Sequence, residues 1–114
     1  MLDALKAQFD RIIVFDTETT GIDCKKDEII EIGMLEASFG EDKPEIIRRD
    51  DLLIRLSQGR TLPPFITELT GITQKMLDTE GVSKESAVQT LASYFTGGRI
   101  HVIRIPRSNL QSAC

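Results

Sequence analysis

Four apolar residues at positions 12–15 run directly into two acidic residues, Asp16 and Glu18, in the stretch IIVFDTETTG. A near-continuous run of β-branched and aromatic residues is typical of a strand buried on both faces. We therefore predict a buried strand over residues 11–17 that ends before Gly21. Such a strand needs other strands beside it and helices over it, which favours a layered domain.

The rest of the chain alternates between strand and helix patterns. Residues 28–38 fit both a strand and a helical face, and Gly33 in the middle favours the strand because glycine costs a helix about 1 kcal/mol. Further strand patterns cover residues 46–56 and 99–105. Helix patterns cover residues 2–9, 65–69, 74–78 and 83–96. This order predicts a single α/β domain with a mixed sheet flanked by helices.

The longest helix pattern begins at Ser83, which is a suitable N-cap residue, as Thr73 is for the pattern at 74–78. Val88, Leu91, Ala92 and Phe95 fall on one side of this helix. We expect that side to pack against the sheet.

The charge balance of the 114-residue chain is acidic, with a formal net charge of −4. This argues against a protein that binds nucleic acid mainly through a basic surface. It leaves open an enzyme that handles a nucleic-acid end through bound divalent cations, because the metal then supplies the local positive charge. The start of the chain lacks a signal-peptide pattern and no apolar run is long enough to span a membrane, so we predict a cytoplasmic protein with no membrane partner.

Asp16 and Glu18 are two residues apart, so on a strand their side chains point to the same face. Two carboxylates held about 6–7 Å apart repel each other, and a divalent cation removes that repulsion. Mg²⁺ and Mn²⁺ prefer oxygen ligands, and Mg²⁺ often uses only one or two carboxylates. The alternative is that both acids are solvated side chains in a loop beyond the strand.

A second distinctive segment, LPPFITELTGIT, occupies residues 62–73. Proline is favoured at the first position of a helix, and Gly71 can end one. A purely structural interpretation places Phe65 and Leu69 in the core.

Together, VFDTETTG, the following DEIIEIG and LPPFITELTGIT resemble the DEDD (DnaQ-like) 3′–5′ exonuclease family over roughly residues 10–98. This family includes the proofreading epsilon subunit of bacterial DNA polymerase III. The resemblance implies an RNase H-like fold, two divalent ions (Mg²⁺ or Mn²⁺), and attack by a metal-activated water on the terminal phosphodiester. It also implies a nucleic-acid 3′ end as partner, single-stranded DNA ahead of RNA, and association with a DNA polymerase.

The resemblance also assigns roles to individual residues. Asp16 and Glu18 match the first two of the family's four acids, as catalytic residues and metal ligands. Asp16 is expected to contact both ions, and Glu18 to bind one ion and place the attacking water. The expected contacts with the terminal nucleotide are Thr17, Thr19, Leu69, Thr70, Gly71 and Ile72.

The family's later motifs, which carry two further acids and a catalytic histidine, are not found. His101 is the one histidine and no Asp or Glu follows Glu85, so we interpret His101 as a strand or surface residue. We expect residues 1–100 to be the N-terminal part of an exonuclease domain, truncated after the fourth strand. Residues 101–114 would then be a divergent tail, arising from truncation or a shifted reading frame.

Two other functions stay open at this point. One is a catalytically dead module that keeps the fold and binds nucleic acid or a protein partner. The other is a phosphatase of the haloacid-dehalogenase type, whose D-x-D-x-T pattern is similar to residues 16–20.

Overall fold

The computed structural model describes residues 2–40 and 42–105. Within these residues the elements, in chain order, are α1 (Leu2–Gln8), β1 (Arg11–Thr19), β2 (Ile29–Phe39), β3 (Pro44–Leu53), α2 (Pro64–Thr70), α3 (Gln74–Glu80), α4 (Lys84–Tyr94) and β4 (Ile100–Arg104). The ambiguous segment at 28–38 is a strand. The predicted tail begins inside β4, and its residues 106–114 lie outside the described residues.

The four strands form one mixed sheet in the order β3-β2-β1-β4. β2 pairs antiparallel with both β1 and β3, and β4 pairs parallel with β1. Short connections suit the antiparallel pairs, whereas the parallel pair needs a long crossover. That crossover contains the three helices α2, α3 and α4. The predicted mixed sheet with flanking helices is therefore confirmed.

One face of the sheet packs against α4. Ile13 of β1 and Ile32 and Met34 of β2 are buried there with Ala87 and Tyr94 of the helix. Since side chains alternate along a strand, Val14, Asp16 and Leu35 lie on the opposite face. The main core and the Asp16 carboxylate are thus on different sides of the same sheet.

The predicted packing face of α4 is correct for Leu91 and wrong for Val88, Ala92 and Phe95. Val88 is 63% exposed and Phe95 is 42% exposed, and Ala92 is exposed as well. The helix instead turns Ala87, Leu91 and Tyr94 toward the sheet, a spacing of four and then three residues. Tyr94 decides this orientation, because its ring is fully buried and its hydroxyl donates a hydrogen bond to β3.

A second buried cluster lies where α2 and α3 meet the start of β2. Its members are Ile30, Leu62, Ile66, Ile72 and Leu77. The N-cap interactions predicted for α3 and α4 are present, since the side chain of Thr73 accepts from Met76 N and that of Ser83 from Ser86 N. The expected burial of Phe65 and Leu69 is wrong: they are 51% and 42% exposed, because the inward side of α2 carries Ile66.

None of the helices in residues 2–40 and 42–105 combines the length and apolarity needed to cross a membrane.

Candidate active site

β1 continues two residues beyond its predicted end, to Thr19. Asp16 and Glu18 therefore lie inside the strand and not in a loop, with Gly33 and Glu31 of β2 as their register partners. Regular pairing persists as far as Glu18, so both acids point to the same face of the sheet. The loop interpretation of these acids is wrong.

The donor set at this position suits a hard divalent cation. Asp16 and Glu18 offer carboxylate oxygens from backbone positions about 6–7 Å apart along the strand, and the Oδ1 atom of Asp16 is buried. Glu31 stands directly opposite Glu18, and like charges in that relation destabilise a sheet unless a positive charge offsets them. Two carboxylates and water molecules are an ordinary ligand set for Mg²⁺.

The ligand set is nevertheless small. Among the residues that the structure describes, no three side chains of Cys, His, Asp or Glu converge as a metal-binding group. Asp16 and Glu18 therefore fit a divalent ion as part of its coordination, with the remaining positions left to water or substrate oxygens.

Thr17 and Thr19 do not share the acids' side of the strand. They line a separate cavity of about 360 Å³, together with Phe15, Gly21 and Arg104. The Thr19 hydroxyl donates to the carbonyl oxygen of Gly21 at 2.5 Å. The structure thus does not bring these threonine side chains together with the two carboxylates.

The four nucleotide-contact residues predicted near residue 70 lie at the end of α2. Gly71 adopts a left-handed conformation with φ of 79° and its N–H donates to Thr67 O, which ends the helix. The Thr70 hydroxyl donates to Ile66 O and accepts from Ile72 N. Ile72 is 3% exposed and belongs to the second cluster, whereas the Leu69 side chain is accessible.

The loop that follows the acids is held by one carboxylate. Asp27 accepts from the Thr20 hydroxyl through Oδ1 and from Asp23 N through Oδ2. This carboxylate lies so close to Gly21 that a Cβ there would clash with it. A larger residue at position 21 would therefore displace the Asp27 carboxylate and its hydrogen bonds.

Glu28 is a structural residue that the sequence pattern did not reveal. A charged residue at the start of a strand is ordinarily solvated, yet the Glu28 side chain is only 10% exposed. Its carboxylate forms ion pairs with Arg60 at 2.6 Å and Lys84 at 2.7 Å, and it accepts from Ser57. It joins the start of β2 to the loop after β3 and to the first turn of α4. Its partners lie 29 or more residues away in sequence, so no local pattern indicates them.

The pKa of Glu28 follows from this environment. Burial alone would raise it, but the hydrogen bonds from Lys84, Arg60 and Ser57 outweigh burial and lower the pKa to about 2, from an ordinary value of 4.5. A lowered folded-state pKa gives stability that is fully present above the unfolded value and is lost as the pH falls through the folded value.

Glu28→Gln is therefore expected to destabilise the fold by about 1–2 kcal/mol at neutral pH, after allowance for screening at the half-exposed partners. The difference from the wild type should shrink between pH 4.5 and about 2, because protonation removes the same charge from the wild-type side chain. Urea unfolding at a series of pH values measures this difference in the free energy of unfolding. A difference that does not change with pH would contradict the ionic role.

His101 lies in β4, and its ring packs against Phe9 with 4.9 Å between ring centroids. This agrees with its interpretation as a strand residue.

Comparison with known proteins decides the family. Residues 13–107 match the profile of the RNase_T family, described as an exonuclease. The chain belongs to this exonuclease family. The resemblance deduced from the three quoted segments is therefore confirmed, and the haloacid-dehalogenase alternative loses its support.

Two curated relatives show how much of a longer protein the match covers. A PolC-type DNA polymerase III of Latilactobacillus sakei is 34% identical over 88 residues, which are 77% of this chain and 6% of the relative. A DNA polymerase III epsilon subunit of Treponema pallidum is 43% identical over 63 residues, 55% of this chain and 26% of the relative. The chain thus spans a small part of each relative.

Solved structures confirm the RNase H-like fold. The nuclease domain of 3′hExo, a DEDDh family member bound to rAMP, aligns with a TM-score of 0.67 at 21% identity, covering 84% of this chain and 52% of that domain. Exonuclease I of E. coli in complex with a dT13 oligonucleotide aligns with a TM-score of 0.69 at 16% identity, covering 83% of this chain and 20% of that protein. At these identities the likeness concerns the fold.

Proposed function

We propose that the chain is the N-terminal part of a metal-dependent 3′–5′ exonuclease domain that hydrolyses the terminal phosphodiester of a nucleic acid. One observation carries the proposal: Asp16 and Glu18 occupy alternate positions of β1 and share one face of the sheet, inside the segment that matches the exonuclease family.

Asp16 and Glu18 would hold the divalent ions, Mg²⁺ or Mn²⁺, of a two-metal mechanism. Such ions polarise the phosphoryl oxygen and lower the pKa of bound water. In this proposal Asp16 would supply a carboxylate ligand for both ions, and Glu18 would bind one ion and accept a hydrogen bond from the attacking water.

Contacts to the terminal nucleotide are proposed for the backbone of Thr17 and Thr19, whose side chains face away from the two acids, and for the end of α2. At that end Leu69 offers an accessible side chain, whereas Ile72 has its side chain in the core. The proposed contact of Ile72 is therefore made by its backbone, as is that of Gly71. Thr70 contributes its hydroxyl.

DNA is proposed as the substrate ahead of RNA, with a single-stranded 3′ end. This rests on relatives named as DNA polymerase III proteins and on a fold neighbour solved with a dT13 oligonucleotide. The same relatives support association with a DNA polymerase and a cytoplasmic location.

A direct assay uses single-stranded DNA and RNA oligonucleotides labelled at the 3′ or the 5′ end, incubated with the chain and Mn²⁺. Early release of labelled mononucleotide from the 3′-labelled strand, abolished by EDTA, is the expected result. Release from the 5′ end or internal cleavage would contradict the proposal.

A non-catalytic nucleic-acid-binding or docking module is the second candidate. It is favoured by the absence, in residues 2–40 and 42–105, of any metal-binding group of three or more side chains. It predicts that the chain retains a labelled oligonucleotide in a binding assay without releasing nucleotides at any Mn²⁺ concentration.

A further inference from the structure

Gly33 sits in the middle of β2 and is the register partner of Asp16 on one side and of Asp51 on the other. Glycine in the interior of a strand weakens it, because glycine loses much conformational entropy and contributes no side chain to packing. Its presence there calls for a compensating reason.

Within residues 2–40 and 42–105, the usual reasons for a glycine in a strand do not apply to this position. Gly33 is not among the described glycines with a positive φ, so the backbone conformation does not require it. The register of β2 shifts between Glu36 and Ala37, not at Gly33. A Cβ built on Gly33 meets nothing within 4 Å, so close packing within the described residues does not exclude a side chain either.

The space that a side chain would fill lies beside the candidate metal ligand. Asp16 and Gly33 line one cavity of about 440 Å³, together with Val14, Leu35 and Arg49 among other residues. Directly opposed residues on neighbouring strands have Cβ positions about 4.5–5.5 Å apart. A branched side chain at position 33 would therefore stand against the Asp16 carboxylate, where a hydrated cation and a phosphodiester need room.

We propose that Gly33 is a positioning residue that keeps open the space in which a divalent cation and the substrate phosphodiester reach Asp16. Strand interiors use glycine where a ligand must approach the backbone closely. This inference rests on the proposed function, and it adds that access to Asp16 is set from the neighbouring strand.

The test compares the wild type with Gly33→Val and Gly33→Ala, with Ser38→Val as a matched control. Ser38 is on the same strand, about 17 Å from Gly33, so its substitution tests the effect of adding valine to β2 away from Asp16. Urea unfolding with and without Mn²⁺ measures metal binding independently of turnover, because a ligand of the folded state raises stability. Release of 3′-labelled nucleotide is measured in parallel.

Without metal, Gly33→Val should be as stable as the wild type or more so, since valine favours strands. Its apparent Mn²⁺ affinity and its nuclease rate should both fall by about 10-fold or more. Gly33→Ala should have a Mn²⁺ affinity and a nuclease rate between those of the wild type and Gly33→Val. Ser38→Val should match the wild type in both quantities.

Equal Mn²⁺ stabilisation of the wild type and Gly33→Val would overturn the role of Gly33 and leave the proposed function intact. A loss of stability in Gly33→Val without metal would also overturn it, because the glycine would then serve packing. If Mn²⁺ fails to stabilise even the wild type and no nucleotide is released, the proposed function fails and the inference fails with it.

Discussion

Asp16→Asn is expected to lower metal-dependent release of 3′ nucleotides by at least about 100-fold. The substitution preserves the size of the side chain and removes its charge, so a divalent cation loses an anionic ligand. The fold should be little affected, because Asp16 lies on the face opposite the main core cluster. Initial rates on a 3′-labelled oligonucleotide, with Mn²⁺ in excess, measure the effect.

A matched control is Asp51→Asn. Asp51 lines the same cavity as Asp16 but lies two strands away on β3, and no catalytic role is proposed for it. Equal losses in both variants would indicate a general effect of charge in the cavity. Retained activity in Asp16→Asn would show that Asp16 is not needed for catalysis.

Tyr94→Ala is expected to destabilise the fold by about 3–5 kcal/mol, the usual cost of truncating a buried aromatic residue. Tyr94 is fully buried in the main cluster, and its hydroxyl donates to Asp50 Oδ2 at 2.5 Å. The Arg48 guanidinium stacks on the ring at 4.1 Å from its centroid. Urea or thermal unfolding followed by circular dichroism measures the loss.

Tyr94→Phe separates packing from hydrogen bonding. It keeps the ring and removes the hydroxyl, so the expected cost is only about 1–2 kcal/mol. Burial, together with the hydrogen bond and charge of Asp50, raises the pKa of Tyr94 to about 12. Absorbance titration of this one tyrosine should therefore show ionisation only near that pH. Equal costs for the two variants, or ionisation near pH 10, would contradict this description of the contact.

Several features of the fold could be predicted from local patterns. The apolar run before Asp16 indicated a buried strand, Gly33 favoured a strand over a helix, and Thr73 and Ser83 marked the starts of α3 and α4. These features depend on neighbouring residues, which is why the sequence alone was sufficient.

The orientation of α4 depends instead on contacts between distant residues. The apolar pattern favoured the side with Val88 and Phe95, but the buried residue is Tyr94, which meets Asp50 and Arg48 of β3. Two of the charged residues in the middle of β3, Arg48 and Asp50, are the partners of that tyrosine. A pairing across 44 residues cannot be deduced from periodicity.

In the candidate site, too, some features follow from neighbouring residues and others from contacts between distant residues. The shared face of Asp16 and Glu18 follows from their two-residue spacing, and the structure agrees with it. The opposite placement of Thr17 and Thr19 follows from the same alternation. The facing position of Gly33 depends on the register between two strands, and the anchoring of Glu28 depends on residues 57–84, so neither could be deduced from one strand.

The central claim is that the two acids of β1 form a divalent-cation site. Titration of Mn²⁺ into the chain, followed by electron paramagnetic resonance of the free ion, tests it without requiring turnover. The wild type should remove free Mn²⁺ from solution, and the double variant Asp16→Asn, Glu18→Gln should not. Equal binding by the two proteins would show that the cation binds elsewhere, and would contradict the assignment.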